Sequence, residues 1–242
     1  MKAVDESEAA DWQRKQCVRD RIILLVSRGR MSPEKANAIA ARRELGPFER
    51  QPDPAQFDPM RQPWWTLAMA VAWISRRTTV AVRDCMPEYV AGFLDWAGTG
   101  RYVIGNPPRE HWGFELKQRD PPSLFKLMLG EAFDEGESCV LTLKESRLEL
   151  RQALAGAKVT ASACQQGGIQ RSRIDALEWI DSGLASDSEF RDVFRTGDGT
   201  RQDNILIEAA GVLREWLAPR AVLVEAHTVA VMTRFKGLSG II

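Results

Sequence analysis

Pro63-Trp64-Trp65-Thr66-Leu67-Ala68-Met69-Ala70-Val71-Ala72-Trp73-Ile74 is the longest nearly uncharged stretch in a chain of 242 residues that holds eight tryptophans. Its apolar residues run almost all round a helical wheel instead of along one stripe, which predicts a centrally buried helix. The spacing carries that helix from about Trp65 to Val82, with Arg76, Arg77, Arg83 and Asp84 marking where it meets solvent. A bilayer span needs about 20 apolar residues, so this run, closed by Arg76 and Arg77, is too short to be one.

Upstream, Pro47, Pro52, Pro54, Pro59 and Pro63 keep regular structure from extending, and residues 47–63 read as an extended strap held by Phe48 and Phe57. Before the strap, Ala9, Trp12, Val18, Ile22, Leu25 and Val26 recur at helical spacing over 8–29, with Gly29 as a stop. Ser32-Pro33-Glu34 then opens a second helix through Ala36, Ile39 and Ala40 to Gly46. The two segments predict an antiparallel helix pair.

Downstream, Pro87 starts a short helix through Tyr89, Val90, Phe93, Leu94 and Trp96, ended by Gly98 and Gly100. Residues 102–104 and 111–116 read as strands around the turn Gly105-Asn106-Pro107-Pro108. Residues 122–134 look helical, with an acidic patch formed by Glu131, Asp134, Glu135 and Glu137. Thr142 and Glu145 fit a capping box for a helix that ends near Gly156; residues 158–163 alternate like a short strand, and 165–168 turn it. Ser172 and Asp175 read as a second capping box before Leu177 and Trp179. Residues 196–203 read as a loop and 205–217 as a helix. Ala221–Val224 reads as a strand, and Thr228–Phe235 closes the chain as helix or strand. The fold predicted is α+β and mostly helical: a helical N-terminal part, about 1–100, packed on a smaller mixed part, about 101–242, with one continuous core as the alternative.

Hydrophobic residues make up 44% and charged residues 27%, ordinary for a globular protein. Thirty-three basic side chains balance 33 acidic ones, which argues against a protein that holds nucleic acid by bulk charge and leaves room for a local basic face. Cys17, Cys85, Cys139 and Cys164 are too far apart for a metal knuckle and read as reduced thiols. The N-terminus, Met-Lys-Ala-Val-Asp-Glu-Ser-Glu, has no apolar signal core, so a soluble cytoplasmic protein with no membrane partner is expected.

The sequence has no glycine-rich phosphate loop, nucleophile elbow, HExxH or EF-hand spacing. His111 and His227 are its only histidines. They read as unrelated polar residues; the alternatives are a two-histidine metal site and a Cys164–His227 nucleophile pair. Gly197-Asp198-Gly199-Thr200-Arg201-Gln202-Asp203 looks like the start of a cation loop but lacks the later ligands, so a polar loop is expected. No metal and no cofactor are expected, and no catalytic residue can be picked.

One stretch carries a functional lead. Residues 150–174 hold Arg151, Lys158, Arg171 and Arg173 with no acidic side chain. A basic hairpin and a helix start there would contact phosphates through these four residues, with Gln166 and Gln170 as readers of base edges. A solvated surface is the bland alternative. Trp12, Trp96 and Trp112 lie near charged or turn-like segments, where core packing competes with an interface role.

Three pieces together resemble uncharacterised proteins widespread in proteobacteria. These are Ser32-Pro33-Glu34-Lys35-Ala36 followed by Leu45-Gly46-Pro47-Phe48; the strap leading to Trp65–Ile74; and Leu154–Ala161 leading to Ile174 and Trp179-Ile180-Asp181. The resemblance implies a bacterial intracellular protein and brings no activity. An arginine often follows the first Trp-Ile pair in that pattern, and here Ser75 stands there. The expected function is a non-catalytic bacterial regulatory or accessory protein that contacts nucleic acid through 151–173. The rivals are a protein-interaction or scaffold component, with a protein or a second copy as partner, and a hydrolase or transferase built from scattered carboxylates and one histidine.

Overall fold

The proline spacing between 47 and 63 does keep regular structure short. In the computed structural model only two three-residue 3-10 turns form there, Pro54–Gln56 and Pro59–Arg61. Asp53 and Asp58 cap them, each carboxylate accepting the backbone N–H two residues on, at 3.0 Å. The structure describes residues 6–104, 109–128, 139–165, 168–181, 184–186 and 191–217.

Helix predominates in the resulting α+β architecture. The order begins α1 (Glu6–Ser27), α2 (Pro33–Arg42), β1 (Trp64–Thr66), α3 (Leu67–Arg76), α4 (Thr79–Asp84) and α5 (Pro87–Val90). It continues β2 (Leu94–Ile104), β3 (Arg109–Gln118), α6 (Leu124–Met128), α7 (Leu143–Ala155), β4 (Ala161–Gln165) and β5 (Arg171–Arg173). Last come α8 (Glu178–Asp181), β6 (Leu184–Ser186), β7 (Asp192–Arg195), β8 (Arg201–Glu208) and α9 (Ala209–Glu215). The chain divides into two compact units, one drawn from Met1–Phe57 and Pro87–Pro121, the other from Asp58–Met86 and Pro122–Ile242.

The first unit is a helix pair on a two-stranded ribbon. Ser32 accepts the Lys35 N–H at 3.3 Å and starts α2, with Pro33 in the first turn, where it forfeits no helical bond. Ile22 and Val26 of α1 form the core with Ala36 and Ala40 of α2 and with Phe48; Trp96, Phe114 and Leu116 of the ribbon pack against them. Arg19 fastens the chain after α2. Its guanidinium donates to the carbonyls of Leu45, Gly46 and Pro47 at 2.7, 2.9 and 3.2 Å and lies 4.5 Å from the Phe48 ring centre. The helix expected to run from Pro87 to Trp96 stops at Val90. At Gly92 the chain passes so close to Pro52 that a Cβ would meet its side chain at 2.8 Å, and Leu94 and Trp96 belong to β2 instead.

The second unit is an antiparallel sheet in the order β5-β4-β8-β7-β6, with β1 also paired to β8. Thr66 ends β1 and caps α3 by accepting the Met69 N–H. All ten α3 residues are buried, as an apolar circumference requires. The indoles of this region are satisfied as well as buried: Trp65 donates to Pro59 O at 2.9 Å and Trp73 to Trp216 O at 2.8 Å. Helix α3 packs against β1 and β8, and α7 packs on α3.

The long helix expected over 65–82 is broken. Its first two residues pair with β8, Arg77 takes a left-handed conformation at φ 56°, and Thr78 caps a separate α4. The Thr142–Glu145 capping box forms in full, and α7 ends at Gly156. Residues 205–208, expected in a helix, complete β8, and only 209–215 are helical. Ser172 lies in β5 and caps nothing; Asp175 alone accepts the Leu177 N–H at 2.9 Å. The expected turn at 105–108, the acidic patch at 131–137 and the elements at 221–235 lie outside the described residues.

No helix among the described residues is long and apolar enough to cross a membrane.

Candidate nucleic-acid interface

Two sequence-predicted residues, Arg171 and Arg173, lie on β5, the edge strand of the sheet. Arg173 pairs with Ser162 and Arg171 with Cys164 on β4; Ser162 in turn pairs with Leu206, and Cys164 with Asp203, on β8. Directly paired residues, and residues two apart along a strand, share a face of a sheet. Arg171, Arg173, Ser162, Cys164, Asp203 and Leu206 therefore share one. Across the next ladder Arg201 pairs with Arg195 of β7. Arg201 lies two residues from Asp203, so both arginines join the same face.

The β4–β8 register shifts between Ser162 and Cys164, where Asn204 adopts φ 53°. This bulge lets Asp203 and Leu206 share a face although they lie three positions apart, an odd spacing. Arg171 secures it. One guanidinium nitrogen, Nη1, donates to Asn204 O at 2.9 Å, Ser162 O at 3.1 Å and Ser162 Oγ at 3.3 Å. Beneath it Ser162 and Cys164 are buried, while Arg171, Arg173 and Arg195 are exposed and Arg201 half-buried. Arg201 donates to Asp203 at 2.8 Å. Among the described residues, four guanidinium groups thus share the face with the Asp203 carboxylate and, at its far corner, Glu208. Arg195 stands directly opposite Arg201, a like-charge pair whose repulsion the Asp203 carboxylate on Arg201 partly offsets.

The remaining predicted residues go elsewhere. Arg151, on α7, donates to the carbonyls of Trp179 and Ile180 at 3.1 and 2.8 Å and fastens the end of α8. Lys158 pairs with Glu215 at 2.5 Å, and that carboxylate holds its pKa above the usual lysine range. Gln170 is exposed just before β5, and Gln166 lies outside the described residues. Arg195 and Arg201 escaped the sequence reading, although they flank the turn Gly197-Asp198-Gly199 symmetrically and an Asp-Gly between strands is a hairpin signal.

The remaining chemical candidates have structural partners. Asp198 accepts from the Thr196 hydroxyl and from the Thr200 N–H, so the loop that looks like a cation site is a self-bonded hairpin turn; these bonds hold its pKa below the usual carboxylate range. His111 stands opposite Tyr102 in the β2–β3 ribbon, and His227 is outside the described residues. Among the described residues no three or more His, Cys, Asp or Glu gather as a metal site would need. Burial pushes Asp192 up to about 6, against the opposing pull of the Leu124 and Phe125 N–H groups and Arg147. Its two oxygens take the Leu124 N–H at 3.0 and 2.9 Å, at the start of α6, which Ser123 caps by accepting the Lys126 N–H. In the first unit an open cavity of about 430 Å³ is lined by Asn37, Glu44 and Glu49, and Asn37 already donates to Glu49 at 2.7 Å. No protein-family model, curated protein or solved structure matches the chain.

Proposed function

We propose that this is a non-catalytic regulatory or accessory protein that binds nucleic-acid phosphates across the arginine-bearing face of the second unit's sheet. The supporting observation is the strand register, which gathers Arg171, Arg173, Arg195 and Arg201 on one face from segments 22 residues apart in the chain, between Arg173 and Arg195. Guanidinium groups match phosphate geometry and stay charged at any physiological pH. Arg151 and Lys158 are not part of this surface in the proposal. A bacterial, cytoplasmic setting belongs to the same proposal and rests on the sequence resemblance.

The test is binding to short DNA and RNA across a salt series. Each phosphate contact contributes about 0.7 to the salt slope for a single strand and about 0.9 for a duplex. The double variant Arg173→Ala/Arg195→Ala should flatten the slope by about 1.4 or more and weaken binding at every salt concentration. Binding that ignores salt, or a double variant that binds like the parent, overturns the proposal.

A protein partner is the second reading, favoured by one observation. Leu148 on α7, Leu177 just before α8 and Ile180 within it are 55%, 71% and 53% exposed. The Arg151 bonds to the end of α8 hold these two helices together, one turn from Leu148. A complex built on this trio would survive nuclease and high salt and be lost on Leu177→Asp. An unchanged complex in that variant would end this reading.

A further inference from the structure

Resting on the phosphate-binding proposal, we infer that this face takes a single strand of nucleic acid, not a duplex, and that Trp64 is the surface on which a base stacks. The aromatic is on the right side of the sheet. Thr66 pairs with Leu206, which pairs with Ser162, which pairs with Arg173, so all four share the arginine face. Trp64 lies two residues before Thr66 and therefore projects the same way, while Trp65 between them points to the core and is fully buried. Trp64 itself is 37% exposed.

Dimensions then select the ligand. From β5, which carries Arg171 and Arg173, to β7, which carries Arg195, there are three strand steps, about 14 Å. A B-form major groove is about 12 Å wide and admits one helix or a two-stranded ribbon. The β4–β5 hairpin is not a free ribbon, because β4 is paired along its other edge to β8. The surface is too broad to enter a groove. It suits an unstacked strand that lies flat upon it, the arrangement in which charged groups track the backbone and aromatic faces take bases.

The face also has a polarity. The arginines occupy the rows from Thr66–Leu206–Ser162–Arg173 onward, whereas Glu208 stands directly opposite Trp64 in the row beyond them. A carboxylate there repels phosphate and leaves that corner to a base. On β4 the side chains of this face, Ser162 and Cys164, are small, and Leu206 of β8 is the apolar group between Arg173 and the Trp64 corner.

The experiment measures anisotropy of labelled thymidine and uridine oligomers of about 15 nucleotides, and of a duplex of equal length, with the full chain and its Trp64→Ala and Trp64→Phe variants. Single strands of either sugar should bind more tightly than duplex. Trp64→Ala should lose roughly tenfold in affinity with an unchanged salt slope, because stacking releases no counterions. Trp64→Phe should keep most of the affinity, and it serves as the reference if the alanine variant is unfolded by circular dichroism. Duplex binding as tight as single-strand binding, or a phenylalanine or folded alanine variant that fails this pattern, overturns the inference while leaving the phosphate-binding proposal standing. No binding to any of the oligomers removes both.

Discussion

Arg171 Nη1 donates to the carbonyl of Asn204 at 2.9 Å, and Asn204 is the residue whose φ of 53° makes the bulge in β8. The bulge decides which side chains face which way, so a residue of the arginine face also maintains the register that creates the face. Asparagine suits the position because its short polar side chain tolerates the left-handed region. Arg171→Ala should therefore lower stability by about 1–2 kcal/mol as well as weaken binding. Arg173, with no such role, should affect binding alone when changed to alanine. Urea midpoints measured beside oligonucleotide affinities separate the two. Equal stability of both variants would mean that the bulge does not depend on Arg171.

Helix α7 ends on a cap whose glycine is one residue early. Lys158 N–H donates to Ala153 O at 2.9 Å and Ala157 N–H to Leu154 O at 3.1 Å, the paired bonds of a Schellman ending. The residue that must adopt positive φ in this ending is Ala157, at 54°, not Gly156. A Cβ in that conformation costs about 1–2 kcal/mol, and Ala157 is exposed, so Ala157→Gly forfeits no packing. The substitution should stabilise the protein by about 1 kcal/mol, raising the urea midpoint without changing the slope. A lower midpoint would refute this account of the cap.

What was legible in the sequence follows from which signals are local. The Thr142–Glu145 box and the Ser32-Pro33 start are made by side chains within a turn of each other, and both helices begin where those residues place them. The start of α9 carries no such mark. Glu208 makes no side-chain cap, so Ile205 and Ile207 run into Val212 and Trp216 without a break, and one helix over 205–217 fits the apolar spacing as well as a strand followed by a helix. The strand wins because Ile207 has Trp65 on one side and Ala161 on the other, partners 142 and 46 residues away. The candidate site suffered the same way. Arg171 and Arg173 were visible as a local basic cluster, but Arg195 and Arg201 join them only through pairing. Arg151 and Lys158 had the same charge and proximity in sequence, yet the carbonyls of Trp179 and Ile180, and Glu215, take them.

Ser146 on α7 is fully buried, and its hydroxyl has no hydrogen-bond partner among the described residues. A buried hydroxyl left unsatisfied carries a desolvation penalty of about 1–3 kcal/mol with no compensating bond. Ser146→Ala removes the oxygen and keeps the Cβ, at the cost of a very small void. The substitution should be neutral or stabilising by up to about 1 kcal/mol, where most buried changes are destabilising. A loss of more than that in urea unfolding would show that the hydroxyl is bonded in solution.

Asp192 gives the second unit a predictable pH response. Burial raises its pKa in the folded protein from the ordinary aspartate value to about 6, with the Leu124 and Phe125 N–H groups and Arg147 opposing the rise. A carboxyl whose folded pKa is raised binds its proton more tightly folded than unfolded. Its contribution is fully present below the unfolded pKa, near 3.9, and is lost as pH climbs through about 6. The shift corresponds to about 3 kcal/mol between those limits. Asp192→Asn cannot titrate, and its amide oxygen can still accept the Leu124 N–H at the start of α6. Relative to that variant, the parent protein should therefore lose stability steadily from pH 4 to pH 7 and then level off. Urea unfolding of both proteins at unit intervals over this range makes the comparison. Parallel curves would show that the charged carboxylate is fully compensated by the Leu124 and Phe125 N–H groups and Arg147, and that burial does not govern its proton.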